Sequence, residues 1–94
     1  MFSLNLLQVT LGAATAPTQA TSDSILARHL VIQNNNASNA VYIGDSTVET
    51  TAGIKIAAAG SLTIGPLPIG SEINLSKLYC IGTEADLVDV FYLA

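Results

Sequence analysis

The chain has 94 residues, enough for one domain, with seven acidic residues against three strong cations and a net charge of −4. Its single cysteine, Cys80, excludes an internal disulfide framework, and the scattered Arg28, Lys55 and Lys77 exclude the clustered cations that phosphate-backbone binding needs. Charged residues are 11% and hydrophobic residues 50%, where a soluble domain averages about 25% charged, so part of the apolar surplus is expected to lie outside the core, against other subunits; the alternative is a small β protein covered harmlessly by Ala, Ser and Thr.

Alternating or short apolar runs recur along the chain and no full window carries helical periodicity, which predicts an all-β fold. Residues 3–11 are the first expected strand, with Leu4, Leu6 or Leu7, Val9 and Leu11 as its apolar positions. Leu4 to Leu11 followed by Ala14-Thr15-Ala16 has the outline of a cleavable leader. The positive flank is missing, however, and Asn5, Gln8 and Thr10 interrupt the run at strand-like intervals, so a strand or arm is the better reading. Residues 12–24, rich in Ala, Thr and Ser and holding Pro17, are expected to be an extended connection. The division of the chain is then residues 1–24 as N-terminal arm and linker and residues 25–94 as the β-sandwich, one domain overall.

Leu26 to Asn34 reads as a strand with Leu30 and Ile32 on one face and His29, Val31 and Gln33 on the other. Val41 to Gly44 is its expected hairpin partner across the Asn-rich turn of residues 34–39, since Asn tolerates left-handed backbone and bonds its own main chain. A polar crossing then leads to a short strand at Ile54 to Ala57, a turn at Ala58-Ala59-Gly60, and an alternating strand at Ser61 to Gly65. Gly65-Pro66-Leu67-Pro68-Ile69-Gly70 cannot lie in a central strand because neither proline can donate to a ladder. It is expected to be a stiff loop carrying Leu67 and Ile69, either exposed as an interface or packed against the edge of its own sandwich. Leu78 to Gly82 and Leu87 to Leu93 close the set, separated by the acidic turn Thr83-Glu84-Ala85-Asp86. Some six to eight short strands at spacings near ten residues fit a single small sandwich of jelly-roll or Ig-like type.

No constellation for catalysis, metal or cofactor emerges. His29 is the only imidazole and no Gly-x-Ser-x-Gly elbow accompanies it, so an outward or interface histidine is expected. Asp45 with Glu49, and Glu84 with Asp86 and Asp89, lack the ligand spacing of a calcium loop and read as solvated turns. Gly60 to Gly65 lacks the Lys-Ser/Thr of a phosphate loop. Phe2, Tyr42, Tyr79, Phe91 and Tyr92 are too few for a stacking platform. Cys80 sits in the apolar run Leu78 to Ile81 and is expected to be a buried thiol. The sequons at Asn36 and Asn74 would matter only in a secreted eukaryotic protein, and short sequons arise by chance. The longest apolar run falls short of the ~20 residues that span a bilayer, and no basic amphipathic helix is present, so neither nucleic acid nor membrane is an expected partner.

Taken in order, Leu-Val-Ile-Gln-Asn, an Asn/Ser turn, Val-Tyr-Ile-Gly-Asp-Ser-Thr-Val, Thr-Ala-Gly-Ile, Ala-Ala-Gly-Ser-Leu-Thr-Ile, Leu-Tyr-Cys-Ile-Gly-Thr and Val-Asp-Val-Phe-Tyr resemble small virion proteins of tailed bacteriophages, over about Leu30 to Tyr92. The resemblance is to β-sandwich decoration, cement or head-fibre components. It implies a protein made in the host cytoplasm and carried on the capsid surface, bound to the major capsid protein and forming a homo-oligomer, with a trimer favoured; that it is not an enzyme is expected from the absent catalytic constellation. Two segments are the expected contacts: Phe2, Leu4 and Leu6 on an arm reaching a neighbouring subunit, and Pro66, Leu67 and Ile69 on the stiff loop. The alternative implication is a head-fibre or tail accessory module that binds the host surface.

Overall fold

The computed structural model describes residues 4–68 and 70–93. The fold is all-β, a small sandwich. In chain order its strands are β1 (Leu4–Thr10), β2 (Thr18–Gln19), β3 (Leu26–Ala27), β4 (His29–Asn34), β5 (Val41–Gly44), β6 (Ile54–Ile56), β7 (Ser61–Ile64), β8 (Ile73–Asn74), β9 (Tyr79–Ile81) and β10 (Leu87–Leu93). A 3-10 turn at Leu75–Lys77 follows β8, with the Ser76 N–H donating to the Asn74 side chain and the Leu75 N–H to the Ile25 carbonyl.

Two four-stranded sheets carry the architecture, the first ordered β1-β10-β4-β7 and the second β2-β9-β5-β6, and every pairing is antiparallel. The pairing is nested: β1 with β10, β2 with β9, β4 with β7, β5 with β6. The core lies between the sheets, where Val9, Leu30, Ile32, Val88 and Val90 of the first meet Val41, Ile43, Ile56 and Cys80 of the second. Period-two alternation does the sorting, so that β4 reads half-buried, buried, half-buried, buried along its length. The small β3–β8 pair brings Ala27 and Leu75 into the same core.

The expected hairpin is overturned. β4 and β5 lie in different sheets, and residues 35–40 form an arch that carries the chain from one layer to the other. The chain also crosses layers directly between β1 and β2, between β6 and β7, and between β9 and β10, and the registers place these four direct crossings at one end of the sandwich, while β2 reaches β4 and β7 reaches β9 through the β3–β8 pair at the other. Asn34 explains the arch. Its side chain, fully buried, donates to the carbonyls of Asn39 (2.9 Å), Ile56 (3.2 Å) and Ala57 (3.2 Å), and accepts from the N–H of Asn36 at 3.1 Å. It therefore pins the β4–β5 and β6–β7 crossings together. Asn36 and Asn39 both donate to Asp86, which ties in the β9–β10 crossing as well.

Two further expectations are revised. Residues 4–10 are no free arm, because all seven pair in register with β10, Leu4 opposite Leu93 and Thr10 opposite Leu87, and Val9 and Leu11 are core residues. The expected strand at Leu26 to Asn34 breaks at Arg28, whose N–H donates to Leu93 O at 3.2 Å and whose carbonyl accepts from Leu67 N at 2.7 Å. The connection after β1 is not structureless either: Thr18 Oγ1 accepts from Gly12 N at 2.9 Å, β2 pairs with β9, and Ala20 is buried.

Cys80 lies fully buried in the core, as expected, and burial pushes its thiol up from 9.0 to about 12. A raised folded value means that the contribution of this residue to stability is intact below the unfolded thiol value and is lost as pH rises from 9.0 toward about 12. In mildly alkaline buffer the native protein should resist iodoacetamide while denatured protein is alkylated. Equal rates in the two states would place the thiol outside the core.

Candidate functional site

Leu26 and Ile54 are exposed singly in the other sheets, whereas the outer face of the first sheet gathers uncovered apolar side chains side by side. The registers set them in rows across the strands: Leu4, Leu93 and His29; then Leu6, Phe91, Val31 and Thr63; then Gln8, Asp89, Gln33 and Ser61. The first two rows are largely apolar and the third is polar. Leu4 is 72% exposed, Leu6 58% and Phe91 37%, values that make this a patch and not a scatter of single apolar residues.

The sheet thus has a chemical gradient along its strands. At the end where the layers cross, Asp89 accepts from Gln8 at 2.9 Å and from Asn35, so the acidic group is held within amide contacts of the same surface. At the opposite end the loop after β7 folds against the sheet. Arg28 clamps it, accepting from Leu67 N and donating from Nε to Leu67 O at 3.2 Å. The clamp is why Leu67 is half-buried, as in the alternative that packs this loop against its own sandwich, while Pro66 stays exposed.

Two shallow depressions result. One of about 160 Å³ is lined by Arg28, His29, Pro66, Leu67 and Leu93. The other, of about 180 Å³, is lined by Leu4, His29, Val31, Phe91, Tyr92 and Leu93. They share His29 and Leu93, so the two segments expected as contacts, residues 4–6 and 66–67, meet on one continuous surface. Phe2 and Ile69 lie outside the described residues. His29 stands at the junction of the two depressions, in keeping with the expected outward or interface histidine, whereas Val31, Phe91 and Leu93 were missing from the expected contacts. The signal for Phe91 and Leu93 was in the sequence: β10 is apolar in both alternating phases apart from Asp89, and a strand greasy on two faces asks to be covered on two faces.

The lining provides contact area, one guanidinium and one imidazole. Among the described residues no group of three or more His, Cys, Asp and Glu side chains could hold a metal ion. Asp45 is a turn residue whose carboxyl is held below the usual range by Thr47, which donates from its hydroxyl and its backbone N–H. Comparison with family models, curated proteins and solved structures finds no match for this chain.

Proposed function

We propose that this protein is a structural component of a bacteriophage virion, a decoration or cement protein that docks on the major capsid protein and stabilises the shell. The observation that carries the reading is the row pair Leu4-Leu93-His29 and Leu6-Phe91-Val31, an apolar band on the outer face of a sheet, bounded by the polar row Gln8-Asp89-Gln33-Ser61. A low-charge surface of this kind suits attachment through many small contacts, each contributing little and together stabilising the bound state by mass action. The sequence resemblance over about Leu30 to Tyr92 points the same way. We read the nested strand pairing as jelly-roll connectivity, an arrangement that viral capsid domains and lectins both use. That is analogy of fold, and the site carries the argument.

Mixing the protein with capsids that lack it should give saturable, stoichiometric binding and a shell that resists heat better. Phe91→Ser and Leu67→Ser should each weaken binding by about tenfold, the worth of one large apolar side chain left in water. Circular dichroism of the free variants should stay that of the parent. Unchanged affinity in both would remove this face from the account, and a parent protein that ignores the shell would end the reading.

A further inference from the structure

Among the described residues the two four-stranded sheets have four edges, and three are guarded. β7 runs into Gly65 and Pro66, β2 has two residues and follows Pro17, and β6 has three residues and carries Lys55. Short length, proline and lysine are the usual means by which an edge avoids pairing with another chain. β1 has none of them. Its seven residues, Leu-Asn-Leu-Leu-Gln-Val-Thr, pair with β10 without a bulge and include no charge, proline or glycine.

The hydrogen-bond phase of that edge follows from its neighbours. Leu11 N donates to Asp86 O and Leu11 O accepts from Ala85 N, both at 2.9 Å, so the Leu11 backbone faces the β10 side. In an antiparallel ladder this direction alternates, which turns Val9 and Leu7 toward β10 and turns Leu4, Leu6, Gln8 and Thr10 away from it. The far side of β10 agrees. Leu87 O accepts from Asn35 N on the β4 side at 3.1 Å, leaving Val88 and Val90 for β1, opposite Val9 and Leu7. The N–H and C=O groups of Leu4, Leu6, Gln8 and Thr10 therefore point along the open edge with no partner among the described residues.

We propose that two copies of this chain associate through β1, the two strands running antiparallel about a two-fold axis so that the two first sheets continue as one. A second copy is the occupant the chemistry favours. An uncharged strand pairs with itself antiparallel without like-charge repulsion, although each chain carries a net charge of −4. The arrangement is isologous and closes at two. It also sets the apolar rows of both copies on one continuous outer surface. The resulting state is a pair, in place of the three-fold assembly that the sequence resemblance implies. Capsid attachment is not assumed, because the protein alone is enough for the test.

Sedimentation velocity over a concentration series should show the full chain as a reversible dimer. Gln8→Pro removes an outward N–H while leaving Leu4, Leu6, Phe91 and Leu93 in place. By symmetry it deletes two interchain hydrogen bonds, and the dissociation constant should rise at least about tenfold. A parent that sediments as a monomer or a trimer overturns the proposal, and so does an unchanged Gln8→Pro dimer, which would mean association through the sheet face. Should that variant fail to fold, amide exchange of the parent decides. Protection at Leu6, Gln8 and Thr10 that grows with protein concentration supports β1 pairing, and concentration-independent exchange there overturns it.

Discussion

Asn34→Leu is expected to destabilise the fold by about 3–5 kcal/mol, because a side chain of similar size would leave three carbonyls and one N–H without their partner. Those groups belong to Asn39, Ile56, Ala57 and Asn36, and the amide that joins them is fully buried. Part of the loss is recovered where water reaches the half-exposed Asn36 and Asn39; the Ile56 carbonyl lies deeper, on a buried residue. For a domain of this size the cost corresponds to a fall of roughly 12–25 °C in Tm, a large share of the 5–15 kcal/mol typical of total stability. Thermal melts followed by circular dichroism would measure it. Asn34→Asp extends the argument, since it aims a carboxylate at three carbonyl oxygens. The folded state then demands a protonated acid, so the folded pKa rises above the unfolded one. This variant should be weaker than Asn34→Leu at neutral pH and recover as pH falls toward the ordinary carboxylate range. A loss under about 1 kcal/mol for Asn34→Leu would mean that the crossings hold without the amide.

The same residue shows what local sequence reading can and cannot reach. Alternation placed Leu30 and Ile32 inward, and both are buried. It also found β5, β7 and β10 within a residue or so of their observed bounds, because in each the burial period equals the strand period. Pairing partners are another matter. Asn residues between two strands spell a hairpin turn and an arch alike, and what separates them is whether the first Asn is drawn inward by carbonyls from a segment more than twenty residues away, as Asn34 is by Ile56 and Ala57. The hairpin that does form, β5 with β6, spans a polar stretch in which only Val48 is buried. The interaction surface was legible in its parts. Leu4, Leu6, Pro66 and Leu67 stood out for being apolar in exposed-looking segments, yet their meeting depends on β10 running antiparallel to β1 and ending beside Arg28, which no local pattern encodes.

Gly65→Ala should be nearly as costly, about 3 kcal/mol, and it acts on the surface as well as on the fold. Gly65 has φ +99°, and a Cβ there would sit 2.5 Å from the Arg28 carbonyl oxygen, which already accepts from Leu67 N. Two causes therefore add: a left-handed backbone that an L side chain adopts only at a cost of roughly 1–2 kcal/mol, and displacement of the Arg28 carbonyl with loss of a hydrogen bond worth about 1 kcal/mol. Gly70→Ala separates them. Gly70 has φ +92° with nothing within 4 Å of its ideal Cβ, so it should show the backbone cost alone, about 1 kcal/mol. Denaturant unfolding of the two variants would give the difference, and equal losses would show that the approach to Arg28 costs nothing. On the proposed function, Gly65→Ala should also weaken capsid binding more than its stability loss accounts for, because freeing Leu67 from the Arg28 clamp dissolves the depression shared by His29, Pro66 and Leu93. Gly70→Ala leaves that clamp in place, so its binding should match the parent once both are folded.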